Sequence, residues 1–174
     1  MVHGIVQSHG GHLQCHSRLG EGTSFTVYLR ARGQAAEPPA LEDQDTGDLP
    51  GGSETILVVD DEEPLRAMGQ RILEAMGYEV VTADSGEAAV DCYRRGAPAV
   101  DLVLMDLGMP GMGGRKATEA ILAMAPQAKV VIASGYAANE QVKEALAAGA
   151  LGYVAKPFGR AELLSTVRKV LEGR

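Results

Sequence analysis

Three acidic positions and one lysine carry the chemistry of this 174-residue chain. Asp60 and Asp61 close the apolar run TILVVDD, Asp106 closes DLVLMD, and Lys156 closes LGYVAKP. Carboxylates brought together repel one another and favour a divalent cation with oxygen ligands. A lysine beside them favours an anion. Together they describe a Mg2+-dependent phosphoryl-transfer site with a carboxylate as acceptor, since an aspartate nucleophile forms an acyl phosphate. The loop LGMPGMGG after Asp106 is small and Gly-rich, so its backbone can approach a ligand, and Gly108 can offer its carbonyl to the metal. Ser134 ends the run KVVIAS with a hydroxyl able to donate to a phosphoryl oxygen, and Gly135 beside it leaves room for a phosphodonor or water. Lys156 precedes Pro157, and a cis bond there would aim the lysine at the phosphoryl charge. Tyr153, three residues earlier, is placed to change rotamer when Ser134 moves. Taken singly, each has a plainer reading. DDEEP suits a helix start, Asp106 a helix cap, Ser134 a turn, and Tyr153 core packing. The combination favours chemistry.

Such residues must be positioned by strands that end together. Apolar runs of about five residues bounded by polar or turn residues read as buried parallel strands. They fall near 55–59, 78–82, 101–105, 129–133 and 151–155, alternating with helical patterns near 64–76, 86–95, 114–124, 138–148 and 160–172. Strict alternation implies a parallel α/β sheet covered on both faces. Charged groups at the C-terminal strand ends then gather in the crevice where such sheets bind ligands. In the first helix Leu65, Met68, Ile72 and Met76 line one face, with Pro64 in the first turn. Gly77, Gly96 and Gly149 read as helix stops.

The rest of the chain differs. Residues 31–54 contain no aromatic, Val, Ile or Phe residue, and Arg32 stands against Glu37, Glu42, Asp43, Asp45, Asp48 and Glu54 for a net −5. This stretch reads as a flexible acidic linker. Residues 1–30 read as a short helix with Val2, Ile5 and Val6 on one face, then a hairpin through the turn RLGEG. Leu13, Cys15, Phe25, Val27 and Leu29 fall on one side of that hairpin. It is too small to fold alone and is expected to be the end of a larger domain. His3, His9, His12 and His16 read as surface histidines, with a metal cluster as the alternative. Cys15 and Cys92 show no metal or redox spacing and read as reduced thiols. No stretch is long enough to span a bilayer and no signal peptide is evident, so a cytoplasmic location is expected. The net charge of −7 includes no basic stripe, which excludes direct nucleic-acid binding as an expectation.

With these residues in this order, 55–172 resembles the receiver domain of two-component response regulators across all five βα units. The resemblance implies a flavodoxin-like (βα)5 fold with strand order 2-1-3-4-5. It implies Mg2+ held by Asp61, Asp106, the Gly108 carbonyl and, through water, Asp60. It implies that Asp106 accepts phosphate from a phosphohistidine, that Lys156 binds the phosphoryl group, and that Ser134 and Tyr153 form a switch pair. Gly113 departs from the family, which often has a polar or acidic residue there, and implies a looser start to the third helix. Residues 2–30, VHGIVQSHGGHLQCHSRLGEGTSFTVYL, resemble the last helix and two strands of a histidine-kinase ATP-binding domain. The glycine boxes, the asparagine helix and the phosphoaccepting His–Glu helix of such kinases are missing, so this chain is not expected to bind ATP. The parent then resembles a hybrid sensor histidine kinase with a C-terminal receiver, the kinase activity lying outside this chain.

The expected function is that of a phosphoacceptor in a phosphorelay. Its partners would be the dimerisation helices of a histidine kinase or a histidine phosphotransfer protein. No DNA-binding module is seen after the last helix, so output is expected through phosphorelay or feedback on the kinase core. A vestigial receiver serving as an interaction module is one alternative. The other is an Asp-nucleophile phosphatase of the haloacid-dehalogenase type, which places a second Asp where this chain has Gly108.

Overall fold

The computed structural model describes residue 6, residues 10–18, residue 20, and residues 22–29, 51–96, 99–135 and 140–173. The chain divides into two units, 1–45 and 46–174. In the first, β1 (His12–Arg18) pairs antiparallel with β2 (Gly22–Tyr28), from His12 opposite Tyr28 to Arg18 opposite Gly22. Leu13 faces Val27 and Cys15 faces Phe25, so the side read from alternation is formed. Phe25 and Leu29 remain 65% and 62% exposed. Val6 is helical and buried. The other residues of the expected helix, His3 and His9, two residues of the turn and positions 30–50 of the chain lie outside the described residues.

The second unit alternates strand and helix without interruption. Its elements are β3 (Thr55–Val59), α1 (Glu63–Glu74), β4 (Glu79–Ala83), α2 (Gly86–Arg95), β5 (Leu102–Asp106), α3 (Gly113–Met124), β6 (Val130–Ser134), α4 (Glu140–Ala147), β7 (Gly152–Ala155) and α5 (Arg160–Leu171). The five strands form one parallel sheet of order β4-β3-β5-β6-β7. This is the expected 2-1-3-4-5 order. Every residue of β3, β5 and β6 is buried, because both faces of a parallel sheet are covered. Alternate strand residues feed two core layers. Leu57, Val59, Val103, Met105 and Ile132 pack with Ala89 of α2, Ile121 of α3 and Val142 of α4. Ile56, Val58, Leu104 and Val131 pack with Leu73 of α1 and Leu163 and Val167 of α5.

The expected stripe of α1 packs on the core through Met68, Ile72 and Met76, and its most buried positions lie beside it. Gly69 and Leu73 are its fully buried residues, while Met68, Ile72 and Met76 flank the core and are partly buried. A Cβ on Gly69 would lie 3.5 Å from Val58 and 3.9 Å from Phe158, so this face of α1 sits in van der Waals contact with the core. Gly96 ends α2 in the left-handed conformation at φ 65°, as its position after the last apolar residue implied. Residues 51–54 belong with the second unit. The Gly52 N–H donates to the Met76 carbonyl at 3.1 Å, and the Glu54 carboxylate lies 2.7 Å from the Arg168 guanidinium.

Candidate functional site

The chain leaves β3 to form β4 on one side of it and returns to form β5 on the other. The crevice at the C-terminal ends of β3 and β5 is therefore the switch point of the sheet. Asp60 follows β3 directly, Asp61 sits in the bend before α1, and Asp106 is the last residue of β5. One carboxylate oxygen from each lies within 4.8 Å of the other two. Asp60 and Asp106 are buried, at 4% and 6% exposure, and Asp61 is exposed. Three carboxylate oxygens at this spacing, one facing solvent, form the all-oxygen donor set that suits a hard divalent cation.

Backbone and side-chain bonds fix this cluster. The Asp60 N–H donates to the Ala83 carbonyl at 3.1 Å, tying it to the end of β4. Asp60 Oδ1 accepts from the Glu62 N–H at 2.9 Å, turning the chain into α1. The Arg66 guanidinium donates to the Asp60 carbonyl at 2.6 Å. Lys156, just past β7, reaches across from the far side. Its ammonium lies 2.6 Å from Asp60 Oδ2 and 3.1 Å from Asp106 Oδ1, with only 9% of the side chain exposed. The Lys156–Pro157 bond is cis.

Ser134 ends β6, is 5% exposed and faces the same cavity. Its carbonyl accepts from the Lys156 N–H at 2.9 Å and from the Tyr153 hydroxyl at 3.2 Å. Ser134 and Tyr153 are thus linked, through the backbone of one and the side chain of the other. Burial, and then the charge of Glu162, push the Tyr153 phenol above its ordinary pKa. A Cβ at Gly135 would meet nothing within 4 Å, which leaves the room expected there. Gly108 is exposed, and a Cβ on it would lie 3.6 Å from Asp106 Oδ2, so this backbone runs beside the Asp106 carboxylate. The cavity has a volume of about 570 Å³, with Asp61, Asp106, Gly108, Ser134 and Lys156 on its wall.

Residues 56–168 match the model of the response regulator receiver domain. The chain belongs to that family. The chain is 32% identical to the sensor kinase CckA of Brucella abortus over an alignment 186 positions long, covering 99% of this chain and 19% of the kinase. It is 41% identical to the chemotaxis protein CheY of Treponema pallidum, covering 77% of this chain and 95% of that protein. The chain therefore spans about a fifth of the kinase and nearly all of CheY. Among solved structures, it is similar to Vibrio cholerae CheY4, with a TM-score of 0.64, 29% identity, and coverage of 68% of this chain and 99% of that one. It is also similar to a chain of the CheX–CheY–BeF3–Mg2+ complex of Borrelia burgdorferi, with a TM-score of 0.64, 31% identity, and coverage of 67% and 88%. The receiver's fold is flavodoxin-like, and it acts in two-component signal transduction.

All the site residues read from the sequence meet in or beside this crevice. Three others were missed. Arg66 was detectable, because six residues past Asp60 is one turn into α1 and within reach of the strand end. Gly114 and Glu87 carry no local signal. A Cβ on Gly114 would overlap the Asp106 carbonyl, so α3 can start against β5 only with glycine there. Glu87, at the start of α2, accepts from the Met112 N–H at 2.8 Å. The start of α3 is therefore anchored from outside, despite Gly113.

Proposed function

We propose that this receiver accepts a phosphoryl group from a phosphohistidine onto Asp106. The observation that carries this reading is the meeting of three carboxylate oxygens within 4.8 Å, with a buried ammonium 3.1 Å from Asp106. Asp61, Asp106 and the Gly108 carbonyl would hold Mg2+, with Asp60 acting through water. The oxygen-only donor set and the solvent-facing Asp61 fit that ion. When bound, Mg2+ neutralises charge on the phosphoryl oxygens. An Asp106 oxygen attacks phosphorus, the P–N bond of the donor breaks, and the imidazole, protonated on its other ring nitrogen, takes the electron pair and leaves as neutral histidine. Lys156 pairs with a phosphoryl oxygen and Ser134 donates its hydroxyl to another. Chemistry of this kind is mostly positioning and charge neutralisation.

Ser134 and Tyr153 form the switch. Drawing Ser134 toward a phosphoryl oxygen displaces the carbonyl that holds the Tyr153 hydroxyl. The phosphodonor is a histidine-kinase helix or a histidine phosphotransfer protein. The parent is a hybrid histidine kinase, with residues 1–30 the tail of its ATP-binding domain. That reading is supported by an alignment with CckA that extends over 99% of this chain, well beyond the receiver.

The test is intact mass after incubation with Mg2+ and acetyl phosphate, beside an Asp106→Ala control. One added phosphoryl group, lost in the control and with EDTA, is expected. An adduct that persists in the control would move the acceptor elsewhere. Sustained turnover of a phosphate ester would favour a phosphatase.

A further inference from the structure

The loop between Asp106 and α3 must hold Gly108 beside the acceptor carboxylate, yet its sequence is rich in glycine. Its near end is fixed by the strand. The Leu107 N–H donates to the Ala133 carbonyl at 3.3 Å, and Leu107 and Met109 are buried at 6% exposure each. Its far end has no such support of its own. Met112, the N-cap of α3, supplies no side-chain capping bond. Gly111 and Gly113 both adopt positive φ, at 73° and 71°.

What holds the far end comes from another element. Glu87 Oε1, in the first turn of α2, accepts the Met112 N–H at 2.8 Å across 25 residues of chain. The same oxygen lies 2.9 Å from where a Cβ on Gly111 would stand, so the carboxylate is seated against the bare backbone of that glycine. Gly86 next to it packs without a side chain, where a Cβ would come within 3.1 Å of the Gly113 carbonyl and of Ala117. The start of α2 is thus docked on the loop at three successive backbone positions.

We propose that Glu87 is a positioning residue for the metal-binding loop. It holds Met112, and through it the Gly108 carbonyl, in the conformation that accepts a divalent cation. The inference rests on the reading of Gly108 as a metal ligand. It assigns a role to a side chain that touches neither metal nor phosphoryl group.

Two substitutions separate this role from a simple helix-terminus charge. Glu87→Asp keeps the negative charge in the first turn of α2 but is one methylene too short to reach Met112. Glu87→Gln loses the charge but keeps an oxygen acceptor at full length. Mg2+ is titrated into the unsubstituted protein and both variants, following backbone amides of residues 106–114 by NMR. Glu87→Asp is expected to bind Mg2+ about fivefold more weakly, in keeping with one lost net hydrogen bond. Glu87→Gln is expected to restore affinity close to that of the unsubstituted protein. Equal affinities in all three proteins would overturn the inference while leaving the metal reading intact. Weak binding in Glu87→Gln with normal binding in Glu87→Asp would also overturn it, because charge at the helix start would then be what matters. No Mg2+-dependent shift in the unsubstituted protein would overturn the metal reading itself, and this inference with it.

Discussion

The Lys156 ammonium lies between two buried carboxylates, 2.6 Å from Asp60 and 3.1 Å from Asp106. A buried charge that loses its partner is costly, because nothing replaces the water it gave up. Lys156→Ala is therefore expected to destabilise the metal-free receiver by about 3 kcal/mol. Mg2+ should then raise the melting temperature of the variant more than that of the unsubstituted protein, since the cation takes over the neutralising role. Thermal unfolding with and without Mg2+ checks this, and an equal increment in both proteins would refute it. The Asp60–Lys156 contact crosses 96 residues of sequence. Both residues were legible as strand-end charges, but the contact itself exists only because β7 and β3 end at the same edge of one sheet.

At the scale of elements, the junction of β5 and α3 is set by steric limits. The Gly114 Cα is so close to the Asp106 carbonyl that any side chain overlaps backbone, which cannot rotate away. Gly114→Ala should cost about 2 kcal/mol or more in urea unfolding and slow acyl-phosphate formation, since relief requires Asp106 to shift. Unchanged stability would mean that α3 slides freely on β5. The other end of the sheet is held by Arg168 of α5, whose guanidinium bonds Glu54 ahead of β3. That hydrogen bond is the main cause that lowers the Glu54 pKa below its ordinary 4.5. A depressed carboxylate stabilises the fold above its unfolded pKa and loses that contribution as pH falls through the folded value. The contribution is at most about 1 kcal/mol, because the pair is partly solvated. Stability of the unsubstituted protein should thus fall more steeply below pH 4.5 than that of Glu54→Gln, as measured by urea midpoints across that range. Parallel profiles would show that the pair contributes nothing.

For the whole molecule, the grouping of residues 46–174 as one unit sets where the chain can be cut. Reading 31–54 as linker places the boundary at Glu54, but Gly52 and Glu54 are tied to Met76 and Arg168. Removing residues 1–50 is expected to leave the receiver's melting temperature within a few degrees of its original value. Removing 1–54 should lower it further by taking away the Glu54 pair. A large drop from the shorter truncation would show that residues ahead of Gly51 stabilise the receiver. No helix among the described residues is long and apolar enough to cross a membrane.

The sequence by itself determined the alternation of elements, the strand order through its family resemblance, and which charged residues would meet at the strand ends. Continuous apolar runs ending in charge are local signals, and a parallel sheet obliges such ends to meet. The α1 stripe was legible in Met68, Ile72 and Met76, which pack on the core, but its most buried positions, Gly69 and Leu73, were not, because helical period marks a face without saying where along it the sheet presses closest. Only the tertiary structure decided that Glu87 holds the Met112 amide, that Gly114 leaves room for the Asp106 carbonyl, and that Tyr153 bonds the Ser134 carbonyl. Two of these are single hydrogen bonds across 25 and 19 residues of chain, and the third is the clearance of α3 against the end of β5. Such contacts depend on how whole helices are seated on the sheet, and that seating is set by the shape of two packed core layers rather than by any local pattern.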